Sequence, residues 1–144
     1  MVLGRIEEAD PVKHHSPMYE FEMVHTSQRM ILGKIRLRIA SALVLRYPGH
    51  IGFEVAQKFR GHRYAARSCQ LLLPLAYAHG LKAVWLTMDP ENTPSEKTCQ
   101  IIGAKYVETV RIPRDHEMYG DDSRYCRRYR LSLRKMPPNK KSPD

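Results

Sequence analysis

Apolar and polar side chains alternate in two early stretches of the chain. In residues 19–23 aromatic and methionine side chains alternate with glutamates, and in residues 34–39 isoleucine and leucine alternate with basic side chains. A period of two is typical of strands that have one buried face. A polar turn near residues 27–28 separates the two stretches, so the pattern predicts a pair of antiparallel neighbouring strands.

The middle of the chain changes from a strand pattern to a helix pattern and back. The short apolar run 51–55 is followed by a long segment whose apolar residues recur at helical spacing as far as Gly80. An unbroken apolar run follows at residues 83–87. A strand, a helix and a second strand in this order predict a parallel β-α-β crossover.

A second helix is predicted directly after this crossover. Thr93 as N-cap, Pro94 at the first helical position and Glu96 three residues after the cap form a capping box. Gly103 marks the end of the helix, because glycine is the residue that most readily adopts the left-handed conformation found there.

The elements together predict one domain of the α/β class. Two more strands over residues 106–112 and 125–133 complete a mixed, mostly antiparallel central sheet around the β-α-β unit. A chain of 144 residues is long enough for one core and short for two. We expect an extended arm over residues 1–17, the domain over 18–135 and a disordered basic tail over 136–144.

Composition narrows the class of protein without naming a partner. The chain is 42% hydrophobic and 27% charged and has neither a long apolar run nor a signal-peptide pattern, so we expect a cytoplasmic protein with no membrane contact. A net charge of +9 favours an anionic partner such as a phosphorylated cofactor, a nucleic acid or an acidic protein surface. A basic surface without a specific partner is the alternative.

The cysteines and histidines indicate no metal site. Cys69, Cys99 and Cys126 are widely spaced and form no C-x-x-C pair, and the seven histidines do not fall at the spacing of zinc ligands. We expect three reduced thiols and no bound metal.

The turn between the central strand and the long helix is the clearest candidate site. Its sequence is Arg60-Gly61-His62-Arg63-Tyr64-Ala65. A glycine-containing turn that leads into a helix collects unpaired backbone N–H groups beside the positive end of the helix dipole, and here two arginines add charge. The turn therefore predicts a site for a pyrophosphate.

Over roughly residues 18–133 the chain resembles the GNAT superfamily of acyl-CoA-dependent N-acyltransferases. The resemblance is carried by the strand 51–55, the turn described above, the helix to Gly80, the element Asn92-x-x-Ser95 and the pair Gly103-Ala104. Within the family it is most similar to the branch that includes the acetylases of ribosomal-protein N-termini. The resemblance implies acetyl-CoA as co-substrate and a GNAT-like β-α-β core. The family usually begins with a strand and two helices, whereas only the arm over residues 1–17 precedes the first clear strand here, so we expect the front strand and helices to be shortened or absent. The acceptor side would then be open or completed by a second subunit, as in a homodimer.

The resemblance also implies roles for individual residues. The pantetheine arm would enter a gap beside the central strand and bond its backbone, and Asn92 and Ser95 would contact the arm from the other side. Arg60 would add charge-assisted bonds to the pyrophosphate on the turn. The cofactor-binding residues implied are Phe53, Val55, Arg60, Gly61, His62, Arg63, Tyr64, Ala65, Asn92 and Ser95.

Two positions depart from the family pattern. Arg63 stands where the family turn commonly has glycine, so either the backbone there needs no positive φ or the arginine itself holds phosphate. Cys99 stands where the family often has a tyrosine that protonates the departing thiolate. Its thiol could serve as general acid, it could be a buried structural cysteine, or water could donate the proton.

The strand that flanks the expected reaction centre supplies the candidate base. Glu54 could take the proton of the attacking amine directly or through water, but the alternation could instead point it to solvent or into an ion pair with a helix arginine. His50 is the second candidate, with a loop histidine as the alternative. The resemblance suggests the amide of Val55 as the donor to the oxyanion.

Three functions are compatible with the sequence. The first is an N-acetyltransferase acting on an amine of a small molecule or a protein, and the second is a domain of the same fold that binds acyl-CoA without turnover. The third is a basic module that binds nucleic acid through the arginines of residues 124–130 and the tail. The chain shows neither an aromatic stacking pattern nor a recognition helix, which argues against the third function.

Overall fold

The computed structural model describes residues 2–7, 17–25, 27, 29–120 and 124–134. Its strands, numbered in chain order, are β1 (Val2–Glu7), β2 (Met18–Val24), β3 (Ile31–Arg38), β4 (Ile51–Val55), β5 (Ala83–Met88), β6 (Lys105–Arg111) and β7 (Tyr125–Ser132). Helix α1 spans Tyr64–Ala78, helix α2 spans Thr93–Ile102, and a short 3-10 helix covers Gln57–Phe59. The predicted tail, residues 136–144, lies outside the described residues.

Strand β1 corrects the prediction of an arm before residue 18. Val2–Glu7 pairs antiparallel with β2, with Val2 opposite Glu22 and Glu7 opposite Met18. A segment without a clear alternation can still form a strand, because ladder hydrogen bonds join backbone groups and a sheet edge supplies them.

The strands form two sheets, which together with the two helices confirm the α/β class with antiparallel strand pairing. In place of one central sheet, β4 and β5 of the predicted β-α-β unit lie in different sheets and do not pair. The first sheet has the order β1-β2-β3-β4 and the second the order β5-β7-β6. All paired neighbours run antiparallel. The predicted β2-β3 pair is present and sets Glu20 opposite Arg36.

Helix α1 joins β4 to β5 and covers one face of the first sheet. It packs against β3, β4 and α2, and its buried residues include the stripe that the periodicity predicts. On β3 the side chains of Ile35 and Leu37 are fully buried. Since side chains alternate along a strand, Arg36 and Arg38 project from the other face of the sheet. Neither helix of the described residues is long and apolar enough to cross a membrane.

Helix α2 begins one residue earlier than the capping box predicts. The N-cap is Asn92, whose side-chain oxygen accepts a hydrogen bond from the backbone N–H of Ser95 at 3.2 Å. Glu96 does not reach back to the cap, since its Oε1 accepts hydrogen bonds from Arg127 and Tyr129 of β7. The bonds of Glu96 to β7 therefore replace the capping bond that the sequence predicts for this residue. At the other end of the helix Gly103 is the C-cap with φ 86°, as predicted.

Candidate active site

Strands β4 and β5 meet at one point and separate beyond it. Just before β4, the His50 N–H donates to the Trp85 carbonyl at 2.8 Å, and the Trp85 N–H donates to the imidazole Nδ1 of His50 at 3.0 Å. Gly49 allows this approach, because a Cβ there would lie 2.8 Å from the Trp85 oxygen. The two strands belong to different sheets, so a gap opens between them after this junction.

The backbone of β4 offers hydrogen-bonding groups to this gap. Just beyond the strand the Ala56 N–H donates to the Leu32 carbonyl of the neighbouring chain segment at 2.9 Å. Because bonded positions alternate along an antiparallel ladder, the N–H and C=O groups of Phe53 and Val55 point away from β3 and toward β5. The Val55 carbonyl accepts a hydrogen bond from Nε of Arg60 at 3.1 Å.

The turn before α1 has the shape that the sequence predicts for an anion site. Gly61 has φ 92°, and Arg63, the N-cap of α1, has φ 61° in the left-handed region. The first turn has no side-chain cap, so its backbone N–H groups receive no hydrogen bond acceptor from a cap. Of the two alternatives for Arg63, the one without positive φ is wrong. The Arg63 side chain is exposed and forms no hydrogen bond or ion pair within the described part of the chain.

An open cleft of about 650 Å³ runs along the gap between β4 and β5. It collects residues from β3, β4, β5, the start of α2 and the loop after β6. Its polar lining is Arg36, Arg38, Glu54, Thr87, Asn92, Ser95, His116 and Glu117, and its apolar lining includes Met18, Val44, Phe53, Met88 and Met118. The structure thus brings Phe53, Glu54, Asn92 and Ser95 together in one cleft.

Glu54 lies in this cleft and is fixed by an ion pair. Its Oε1 accepts a hydrogen bond from Nη1 of Arg36 at 3.0 Å, while Nε of Arg36 donates to Glu20 on β2 at 2.9 Å. The Glu54 side chain is 71% exposed, so its second oxygen is open to solvent. The solvent-facing position that the sequence left open is present, whereas the arginine partner is Arg36 of strand β3 and not a helix arginine. Neither feature removes the carboxylate from the cleft.

His50 does not act as a base in this arrangement. Its side chain is 1% exposed, Nε2 donates to the Ala40 carbonyl at 2.9 Å, and Nδ1 accepts from Trp85. Burial lowers the pKa of His50, more than the hydrogen bond to Ala40 raises it. Both ring nitrogens hold backbone groups together, so the hypothesis of His50 as a second candidate base is wrong.

Cys99 is part of the core and not of the cleft. It is fully buried beside other core residues, and it does not line the cleft. Burial, and secondarily the charge of Glu96, raise the pKa of the Cys99 thiol to about 12. This position argues against Cys99 as general acid and favours the structural interpretation. Cys69 and Cys126 are also free and buried.

Sequence reasoning missed the arginines of the cleft. The alternation over residues 34–39 marks Arg36 and Arg38 only as the polar face of a strand, whereas the structure joins Arg36 to Glu20 and brings both arginines into the cleft. The available signal was their place on the strand adjacent to β4, at positions that share a face with Glu54. Within the described residues no group of three or more histidine, cysteine or acidic side chains could hold a metal ion.

The two antiparallel sheets, the two helices and the gap between β4 and β5 define an α/β domain, and the sequence comparison gives the family. Residues 5–105 match the acetyltransferase (GNAT) domain, which is more than half of the chain. The chain belongs to the GNAT acetyltransferase family, as the resemblance predicted. None of the curated proteins matches the chain.

Solved structures share the fold at low sequence identity. An acetyltransferase (GNAT family) from Bacillus anthracis is 19% identical with a TM-score of 0.63, and the match covers 79% of this chain and 66% of that one. The ribosomal-protein-S5-alanine acetyltransferase from Vibrio fischeri is 14% identical with a TM-score of 0.65, covering 84% and 64%. A spermidine N-acetyltransferase mutant from Vibrio cholerae is 12% identical with a TM-score of 0.59, covering 82% and 66%. The chain therefore spans slightly less than two thirds of the length of these three structures.

Proposed function

We propose that the chain is an N-acetyltransferase that transfers an acetyl group from acetyl-CoA to an amine of a small molecule or a protein. The observation that carries the proposal is the gap between β4 and β5. At this gap the backbone groups of Phe53 and Val55 point to a strand that does not pair with them, and the uncapped turn at Gly61 and Arg63 lies in the link from β4 to α1.

In this proposal the pantetheine arm of acetyl-CoA takes the place of the missing strand partner. The N–H and C=O of Phe53 and the C=O of Val55 would bond its amides, as they would bond a neighbouring strand, which leaves the Val55 N–H for the acetyl group. From the other side Asn92 would use its side-chain NH₂, because its oxygen already caps α2, and Ser95 would offer its hydroxyl.

The pyrophosphate would bind at the turn over residues 60–65. Backbone N–H groups at the start of α1 and the left-handed turn suit an anion. The exposed Arg63 would add a charge-assisted bond, and His62 and Tyr64, whose rings lie 5.4 Å apart, would flank the site. Arg60 would support the turn through its bond to Val55 and reach the phosphate with its remaining N–H groups.

The reaction needs a neutral amine, a donor to the carbonyl oxygen and a proton for the leaving sulfur. Acetyl-CoA supplies the thioester. Glu54 would accept the amine proton directly or through one water, and the Val55 N–H would donate to the carbonyl oxygen as it gains charge. A C–N bond forms and the C–S bond breaks. The thiolate takes a proton from solvent, which suffices for a thiol whose ordinary pKa is about 8.5.

A domain that binds acyl-CoA without turnover is the second candidate. The burial of Cys99 favours it, because the position that often carries the general acid in the family has no group in the cleft. The nucleic-acid hypothesis receives no such support. Arg128 is 5% exposed and bound to Arg46 and Glu108, and Arg127 is bound to Glu96, so neither is available to a phosphate backbone.

Native mass spectrometry and a thiol-release assay together test the proposal. We expect one acetyl-CoA per chain and release of free CoA thiol that depends on an added amine. Binding without thiol release across a broad amine panel would support the second candidate, and no binding at all would overturn both. The same spectra report the subunit count, which tests the proposed homodimer.

A further inference from the structure

The cleft contains an arginine that has no partner among the residues that the structure describes. Arg38 lines the cleft and is half-buried, and it forms no ion pair or side-chain hydrogen bond with any described residue. Its neighbour Arg36 is held by two carboxylates, Glu20 and Glu54. A charged group that leaves water without a partner is unfavourable, so such a group in a binding cleft commonly has its partner in the ligand.

The position of Arg38 directs its guanidinium into the cleft. A Cβ placed on Gly52 of β4 would lie 3.5 Å from Nη1 of Arg38, so the guanidinium lies over a bare stretch of strand. Gly52 leaves this space open, and Glu54 projects from the same face of β4 two residues further along, roughly 7 Å away. A cation and a carboxylate thus stand side by side along one wall.

The electrostatic surroundings of Arg38 favour an added anion. Burial and the positive charge of Arg36 lower the pKa of Arg38, and Glu117 across the cleft offsets this only in part. Glu117 lines the cleft but is not within ion-pair distance of Arg38. A carboxylate at Arg38 would relieve the repulsion between the two arginines and satisfy a fork of donors that suits a planar anion.

We infer that the acceptor at this site is an amine that also carries a carboxylate, which Arg38 binds while the amine approaches Glu54. The inference rests on the proposed N-acetyltransferase function and specifies its substrate class. It disfavours polyamines, whose additional positive charges would be repelled by Arg38. The carboxylate can belong to a free amino acid or to an acidic side chain near the N-terminus of a polypeptide.

The test compares amines that differ only in the carboxylate, using the full chain and acetyl-CoA. One pair is L-alanine and L-alaninamide, and the other is the dipeptide amide Ala-Glu-NH₂ and its neutral partner Ala-Gln-NH₂. Rates are corrected for the fraction of neutral amine, since the carboxylate changes the pKa of the amine. We expect kcat/KM to be about 10-fold or more higher for the acid in at least one pair, the usual worth of a hydrogen-bonded charge pair. The responding pair identifies the source of the carboxylate.

Arg38→Gln should reduce the preference for the acid to within about twofold, and Arg38→Lys should restore part of it. The matched control is Lys34→Gln, which removes the same charge from the same strand face outside the cleft and should keep the preference. Equal rates for acid and neutral partner in the wild type would overturn the inference, as would a preference that survives in Arg38→Gln.

A binding measurement separates this inference from the proposed function. If acetyl-CoA binds but no amine is acetylated, the thermal stabilisation of the CoA complex by each amine is compared instead. A larger stabilisation by the acid that disappears in Arg38→Gln supports the carboxylate site although catalysis fails. No difference between acid and neutral partner overturns it, while acetylation of neutral amines alone leaves the enzyme assignment intact and removes only the carboxylate site.

Discussion

The Nδ1 atom of His50 accepts the backbone N–H of Trp85 at 3.0 Å, and the His50 N–H donates to the carbonyl of the same residue. This pair joins the start of β4 to the middle of β5. Beyond it the strands belong to different sheets, and the cleft opens. His50, a candidate base from the sequence, therefore has a structural role: its hydrogen bonds to Trp85 hold β4 and β5 together at the end of the gap.

The hydrogen bonds of His50 to Trp85 and Ala40 predict a specific dependence of the free energy of unfolding on pH. The pKa of His50 is lowered in the folded state, so between its unfolded value near 6.5 and its folded value the unfolded chain binds the extra proton. The contribution of neutral His50 to the free energy of unfolding is fully present above about pH 6.5 and is lost as the pH falls from 6.5 through the folded-state pKa of His50. His50→Gln should cost about 1–3 kcal/mol at pH 7.5, because the buried Trp85 N–H loses its acceptor.

Urea denaturation at pH 7.5 and pH 5.5 checks this prediction. The free-energy difference between wild type and His50→Gln should shrink at the lower pH, since the variant has no imidazole to protonate. A difference that stays constant or grows on acidification would show that His50 is not held neutral.

Arg63→Gly should raise stability and lower affinity for acetyl-CoA. Arg63 has φ 61°, a conformation that a non-glycine residue adopts at a cost, while glycine adopts it freely but has more freedom in the unfolded chain. The net gain is about 0.5–1 kcal/mol. If the side chain holds phosphate, the dissociation constant rises about 10-fold. Arg67→Gln, which removes a charge from the exposed side of α1, is the control. Equal losses of acetyl-CoA affinity in both variants would show that Arg63 acts only through its positive charge and not by binding phosphate directly.

Gly61→Val should abolish binding of acetyl-CoA without destroying the fold. Gly61 has φ 92°, and no atom lies within 4 Å of an added Cβ, so the side chain would project into the space proposed for the pyrophosphate. Gly80→Val is a matched control at the other end of α1, with φ 86° and equally open space. Both variants should lose similar stability in thermal unfolding, and isothermal titration should show lost binding for Gly61→Val alone. Retained binding in Gly61→Val would remove the turn from the cofactor site.

Glu54→Gln should lower kcat by about 100-fold at neutral pH and leave binding of acetyl-CoA unchanged. Glutamine keeps the shape of the side chain and a weaker bond to Arg36 but accepts no proton. Glu20→Gln weakens the other ion pair of Arg36 and keeps the cleft carboxylate, so it separates loss of the base from a loosened arginine. Steady-state rates across pH for the wild type, Glu54→Gln and Glu20→Gln test whether Glu54 is the base. Full activity of Glu54→Gln would place the base elsewhere.

Cys99→Ala should leave kcat and its pH profile unchanged while lowering stability by about 1 kcal/mol. The thiol is buried in the core, and its pKa is raised to about 12, so it contacts no reacting group. Cys69→Ala, which removes an equally buried thiol with a pKa raised to about 12, is the control for packing loss. A rate loss confined to Cys99→Ala would return the thiol to the mechanism.

The positions of the elements followed from local patterns, and the exceptions have causes in other segments of the chain. Alternation placed β2 and β3, a short apolar run placed β4 and the helical stripe placed α1, because these patterns record which face is buried. Strand β1 escaped notice because its partner is the edge of β2, and a backbone ladder leaves little trace in side-chain periodicity. The cap of α2 moved to Asn92 because Glu96 found Arg127 and Tyr129 across the fold.

By itself the sequence determined the fold class, the family and the turn of residues 60–65, since glycine content, charge and the start of a helix are local properties that the order of residues shows directly. Only the tertiary structure decided the surroundings of His50, Cys99 and Arg38. Their chemistry depends on burial and on partners from distant segments, such as Trp85 for His50, and on the absence of any partner for Arg38 in the described residues. Protonation and binding respond to these surroundings, which chain order does not specify.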